Sequence, residues 1–180
     1  MSFRKQHRSS GIARQQGGAY AVEYAFVFPI FFALLYGTLA YGTIFTMRLG
    51  LQHAAEEGAR AALRYQQKLD PDDLQITLRE AAAEAVALTK ASWLQSIGTL
   101  TVAADICPVA VECLPTLGNK LSDELACGET FADGCQVVVA VNYPYSSDPI
   151  FPSIPGFGLL FPQNIQGRAR LLVDGRALSL

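Results

Sequence analysis

Hydrophobic positions follow three different rules along this chain. From Ala19 to Thr46 they are nearly continuous, and Glu23 is the residue in that run expected to carry a charge. The run exceeds the roughly 20 residues that a helix needs to cross a hydrocarbon layer. It is also longer than the apolar core of about 7 to 15 residues in a secretory signal. Pro29 leaves one carbonyl without its helical donor and predicts a local kink, which membrane helices tolerate. Beyond Arg48 the pattern turns periodic, with Leu51, Ala54, Ala55, Gly58, Ala59, Ala62 and Leu63 on one face of a continuing helix. Most of these residues are small, so a second helix or a sheet can approach closely. Glu56, Glu57, Arg60 and Arg64 take the other positions at spacings that allow pairing. Asp70-Pro71 is the expected stop. Asp72 and Asp73 suit the start of a second helix, predicted to run to about Trp93 with Leu74, Leu78, Ala81, Ala85 and Leu88 as its apolar face.

The third rule is alternation. Leu100, Val102, Ala104 and Ile106 alternate with Thr99, Thr101, Ala103 and Asp105, and Val137, Val139, Val141 and Tyr143 alternate with Gln136, Val138, Ala140 and Asn142. A third run sets Ile165, Gly167, Ala169, Leu171 and Val173 against Gln166, Arg168 and Arg170. Three short strands with one apolar face, covered by helices, predict an α+β fold. Its expected form is a long N-terminal transmembrane helix extending into a periplasmic domain, where a second helix packs on a small antiparallel sheet. Between Tyr143 and Phe161, four prolines (Pro144, Pro149, Pro152, Pro155) stand among Phe151, Ile154, Phe157, Leu159 and Leu160. Proline keeps this segment out of a central strand. It is either a loop folded over the core or an exposed apolar patch for a neighbouring subunit.

Composition sharpens this division. The chain is 51% hydrophobic with a net charge of −2, and the apolar excess belongs to the first run. Arg4, Lys5, Arg8 and Arg14 precede that run with no acidic residue among them, which predicts a single-pass membrane protein with its N-terminus on the cytoplasmic side and its C-terminal domain exported. Without interleaved aromatics the cluster is not read as a nucleic-acid interface. The expected organisation is a basic leader over 1–18, disordered or removable, a transmembrane helix over 19–47 and a periplasmic domain over 48–180.

Cys107, Cys113, Cys127 and Cys135 lie beyond the span, and an even number there suits disulfides. Four cysteines allow three connectivities; a nested arrangement, Cys107 with Cys135 and Cys113 with Cys127, fits two antiparallel neighbours. None of the spacings is C-x-x-C and no histidine follows His53, so no metal site is expected. No catalytic residue is expected either: there is no G-x-S-x-G and no phosphate loop, and Asp123 and Glu124 read as surface neighbours. No cofactor is implied.

The residue that asks for a reason is Glu23, because a lone charge in an apolar span costs several kcal/mol. One answer is that it snorkels to the headgroups at the membrane surface. Counted from Ala19, Glu23 is fifth and Tyr24 sixth, with Gly18 immediately before. This arrangement resembles type IV prepilins, in which a basic leader ends in glycine before an apolar helix with glutamate fifth, and in the type IVb or Flp class an aromatic residue follows it. The run from Gly18 to Pro29, together with Ala54, Ala55, Glu56, Glu57, Gly58, Ala59 and Arg60, is similar to the TadE and TadF minor pilin-like proteins, nearer to TadE. Looser similarity continues in the last strands and in Tyr143-Pro144-Tyr145. The resemblance covers about a quarter of the chain. It implies cleavage between Gly18 and Ala19 by a prepilin peptidase and an assembly role for Glu23 and Tyr24. The implied partners are that peptidase, other pilin or pseudopilin subunits, the inner-membrane assembly platform and membrane lipid. A domain beyond residue 70, which major Flp pilins lack, favours a minor pilin or pseudopilin acting in assembly, adhesion or secretion. The competing reading is an uncleaved, membrane-tethered periplasmic binding module.

Overall fold

The three alternating runs become three strands in the computed structural model, which describes residues 17–64, 66–67, 75–110, 112–113, 115, 127, 134–151 and 161–173. Helix α1 spans Gly17–Ala62 and α2 spans Gln75–Lys90, followed by a short 3-10 turn at Ser92–Leu94. Strands β1 (Thr101–Pro108), β2 (Cys135–Tyr143) and β3 (Ile165–Val173) form one antiparallel sheet in the order β1-β2-β3. The fold is α+β, as the alternation predicts. The chain divides between Tyr41 and Gly42 into two compact units.

The unit ending at Tyr41 holds the apolar part of α1, which continues through Pro29. Most of its large side chains are uncovered, with Tyr20 and Phe26 each 71% exposed. The Thr38 hydroxyl donates back to the Leu34 carbonyl, so it brings no unsatisfied donor into the apolar surface.

In the unit beginning at Gly42, Leu51, Ala54, Ala55, Ala59 and Ala62 of α1 are fully buried. They join Ala104, Ile106, Val137, Val139, Val141, Tyr143, Ile165, Ala169 and Val173 in one core. The register explains the composition of that inner face: Ala104 pairs with Val139 and Val139 with Ala169, so one parity of all three strands faces the helices. Close approach is built in at two glycines. A Cβ on Gly167 would strike the backbone of Leu51 and Gln52. A Cβ on Gly58 would come 2.8 Å from the Ala83 carbonyl oxygen and 2.8 Å from the Ala87 Cβ of α2.

That crossing overturns the apolar face expected for α2. The buried positions are Gln75, Arg79, Ala83 and Ala87, continued by Ala91 and Leu94. Ala81 and Ala85 are exposed and Leu88 is 38% exposed. Alanines occupy the contact because a leucine would not fit where the helices nearly touch at Gly58. The end of α1 also differs from expectation. The helix stops at Ala62, its last turn closed by Leu63 N–H to the Arg60 carbonyl and Arg64 N–H to the Ala61 carbonyl. Leu63, placed on the apolar face by the sequence pattern, is 43% exposed. Arg79, almost fully buried, donates from Nη1 to the Ala62 carbonyl at 3.3 Å, setting a cation on the helix C-terminus. The expected stop at Asp70-Pro71 and the acidic start at Asp72 and Asp73 lie outside the described residues.

Helix side chains close both edges of the sheet. On β3, Gln52 Nε2 donates to the Arg168 carbonyl at 2.9 Å, and Gln52 Oε1 accepts the Arg168 N–H at 3.0 Å. One amide thus takes the place of a neighbouring strand. On β1, Glu84 Oε1 accepts the Ala104 N–H at 3.2 Å and Glu80 Oε1 the Ile106 N–H at 2.9 Å. Edge N–H groups that would otherwise template pairing with another chain are satisfied within the domain.

The nested cysteine pairing is also corrected. The bridges are Cys107 to Cys113 and Cys127 to Cys135. In the sheet Cys107 pairs with Gln136, whereas Cys135 pairs with Pro108. This one-residue offset puts the two side chains on opposite faces, so they cannot meet. Cys135 belongs to the helix-side core, while Cys107 and Cys113 cluster with Val138 on the outer face. The Arg168 guanidinium donates from Nη2 to the Cys113 carbonyl over that face. As a result β2 is buried on both faces, with Val138 and Ala140 as hidden as Val137 and Val139.

The ends of the proline-rich segment turn onto the core. Ser147 and Asp148 N–H groups both donate to the Pro144 carbonyl, the Tyr145 and Phe161 rings lie 6.0 Å apart, and Ile150 packs against the core cluster. The stretch with Pro152, Ile154, Pro155, Phe157, Leu159 and Leu160 lies outside the described residues.

Two stability predictions follow from this packing. Gly167→Ala costs about 2 to 3 kcal/mol by overpacking the contact with α1, whereas Gly42→Ala, inside α1 and with a new Cβ that would meet nothing within 4 Å, raises stability by about 0.5 to 1 kcal/mol; chemical denaturation in detergent compares them. Burial, and after it the charge of Asp148, holds the Tyr143 hydroxyl above its ordinary value of 10.0, and that hydroxyl donates to the Asp148 carbonyl at 2.7 Å. Because the folded value is the higher one, this contribution is complete below about pH 10 and is lost as pH rises through the folded value. Tyr143→Phe therefore lowers stability near neutrality by about 1 kcal/mol and flattens its decline on the alkaline side. Denaturation curves collected across that range check both effects.

Candidate functional site

The residues singled out for processing and assembly, Gly18, Ala19, Glu23 and Tyr24, all lie in the first turns of α1. A Cβ on Gly18 would meet nothing within 4 Å, so the position is open to an approaching partner. Glu23 is exposed within an otherwise apolar helix surface, and Tyr24 is 64% exposed. A carboxylate and an aromatic ring are thus displayed side by side at the head of an uncovered apolar helix. Such a group can accept hydrogen bonds or pair with one cation, and in an apolar surrounding it gains most from doing so.

Behind Tyr24 runs a feature that the sequence reading did not identify. The Tyr24 and Phe28 rings stack with centroids 5.3 Å apart, Phe28 and Phe32 at 6.2 Å, and Phe32 and Tyr36 at 6.3 Å. These four residues recur every fourth position, which aligns them on one stripe of a helix. The spacing was available in the sequence, but a continuous apolar run hides any periodicity of ring type within it. The ladder carries the surface presented by Tyr24 along the helix.

Length and apolar character make α1 able to cross a membrane, and 6% of its most apolar stretch is buried within the protein. A core helix of a soluble protein is mostly buried, so this uncovered apolar surface is consistent with a membrane anchor. At the other end of α1, Ala54, Gly58 and Ala59 are buried against α2 and the sheet, while Arg60 Nη1 donates to Glu57 Oε1 at 2.9 Å on the solvent side. The Ala-x-x-Glu-Gly-Ala-Arg run therefore has a packing face and a paired polar face.

The four cysteines are bridged in two pairs. Among the described residues, no group of three or more His, Cys, Asp or Glu is arranged to hold a metal ion. His53 is exposed. Open grooves line the seam between α1 and β3, one of about 290 Å³ bounded by Gln52, Glu56, Arg60, Arg168 and Arg170. Burial first, then the charge of Arg170, depresses the Arg168 guanidinium, and Glu112 opposes this.

No curated protein and no solved structure matches the chain. A family model described as TadE-like protein matches residues 18–60. The match begins at Gly18 and takes in Glu23, Tyr24, the aromatic stripe and the small-residue run through Arg60. Both the exposed head of α1 and the part of α1 that packs into the domain therefore fall within the matched segment, and over residues 18–60 the chain is similar to TadE-like proteins.

Proposed function

We propose that this protein is a minor pilin or pseudopilin of a Tad, or Flp type IVb, pilus, anchored in the bacterial inner membrane by α1 with its α+β domain in the periplasm. The observation that carries the reading is the position of Glu23, fifth after Gly18 and exposed on an apolar helix, inside a segment that matches TadE-like proteins. A prepilin peptidase cuts between Gly18 and Ala19. Glycine suits the site because a backbone without Cβ can extend closely into a protease cleft. The cut creates an α-amino group at Ala19. When helices pack side by side, Glu23 of one subunit pairs with that amine on a neighbour, so that two charges costly in an apolar layer satisfy each other and fix the helix register. The aromatic stripe behind Tyr24 supplies further packing surface for the same neighbours. The basic residues before Gly18 hold the leader on the cytoplasmic side, where the peptidase and the assembly platform meet it.

Expression of the full chain with its cognate prepilin peptidase, followed by intact mass and N-terminal sequencing of membrane extracts, tests this directly. The mature protein begins at Ala19. Gly18→Val lowers the rate of conversion by roughly tenfold or more, about 1.4 kcal/mol in the barrier. Glu23→Gln is still inserted and cut but no longer co-purifies with its neighbouring subunits. Retention of Met1 through Gly18 in the functional protein would instead support a membrane-tethered binding module.

A further inference from the structure

We infer that the turn after α2 is a second membrane contact, in which Trp93 and Ile97 seat in the headgroup region of the bilayer that α1 crosses. The inference rests on the membrane-spanning reading of α1. The apolar run ends at Arg48, so the helix leaves the hydrocarbon layer close to that residue, and Gly50 lies about 3 Å further along it at 1.5 Å per residue. Trp93 sits on this level, because a Cβ on Gly50 would come 2.6 Å from Trp93 Cζ2. The glycine lets the indole lie directly against the helix where the chain meets the headgroups.

The rest of the turn suits that location. Ala91 and Leu94 are fully buried and anchor it to the core, while Trp93 and Ile97 project outward at 45% and 47% exposure. Leu49 of α1 is 54% exposed. Tryptophan favours the membrane surface because its ring is apolar and its N–H can still reach water or a headgroup. Four backbone donors of the turn are bonded within it: Leu94 N–H donates to the Ala91 carbonyl, Gln95 N–H to Ser92, and Ile97 and Gly98 N–H to Leu94. The Ser96 hydroxyl donates to the Trp93 carbonyl. Each donor bonded in this way can enter a less polar layer without being stranded, and at headgroup depth the others can still reach water. Lys90, in the last turn of α2, and the exposed Arg48 add positive charge where anionic headgroups lie.

Trp93 is the chain's single tryptophan, so its fluorescence reports this site alone. The full chain is placed in bilayer discs of phosphatidylcholine with about 30% phosphatidylglycerol, an anionic surface open from both sides. Emission is then measured with lipid nitroxides attached near the headgroup or near the chain end, and with iodide in the water. The headgroup label is expected to quench Trp93 at least about twofold more than the deep label, with little quenching by iodide. Strong iodide quenching without lipid-label quenching overturns the inference, and so does protection from every quencher, which would mean that another protein or a second copy covers the turn. A Trp93→Phe, Phe32→Trp variant separates the two levels of the argument. Strong quenching of the new tryptophan by the deep label supports the spanning reading of α1. If that variant is quenched from within the bilayer while Trp93 is not, the turn contact alone is wrong; if the new tryptophan is reached only from water, the spanning reading fails and the inference falls with it.

Discussion

Everything in the domain depends on how closely α1 lies against β3. At Gly167 the strand has no side chain, so the helix backbone at Leu51 and Gln52 occupies the space a Cβ would need. At the next residue Gln52 pairs with both backbone groups of Arg168. Further along the same helix the buried residues are small as well: Ala54, Ala55, Ala59 and Ala62 are fully buried in the shared core. The same closeness recurs where Gly58 meets α2. The sheet supplies most of the large apolar side chains of the core, among them Ile106, Val137, Val139, Val141 and Tyr143, while α1 contributes mostly small ones at close range.

This organisation explains which parts of the fold were legible in the sequence. Alternation in β1, β2 and β3 predicted their positions and inner faces, because one parity of every strand meets the helices. The small-residue face of α1 was equally visible. The face of α2 was misread because leucines outrank alanines in hydrophobicity, while the Gly58 crossing selects for size: Ala83 and Ala87 go in and Leu88 stays out. The disulfides were within reach of parity. Cys107 follows Ile106 and so faces away from the helices, whereas Cys135 shares its side with Val137, which already excludes a bridge between them. Burial of Val138 on the outer face had no signal in the strand itself, since it depends on Cys113 folding back over it. The end of α1 depends on Arg79, a residue of another helix.

The candidate site reads differently. Gly18, Glu23 and Tyr24 stand out in the sequence because their types conflict with an apolar run or punctuate it, and the structure places them together at the head of α1. The aromatic ladder from Tyr24 to Tyr36 stayed hidden because its members do not conflict with their surroundings. The TadE-like match, ending at residue 60, spans a single helix with two duties. Its first half displays a charged and aromatic surface outward, and its last turns are built into the domain. Conflict between a residue and its environment marks the first duty, and small size marks the second.

Backbone amide exchange at Arg168 tests most directly whether α1 is part of the domain wall. With Gln52 acting as a substitute strand, the Arg168 N–H is protected to the level of the Val137 and Val139 amides in the central strand, and Gln52→Leu speeds its exchange by about tenfold or more while leaving those central amides slow. An Arg168 N–H that exchanges in the unmodified protein as fast as an open sheet edge would contradict the close docking of α1 on β3.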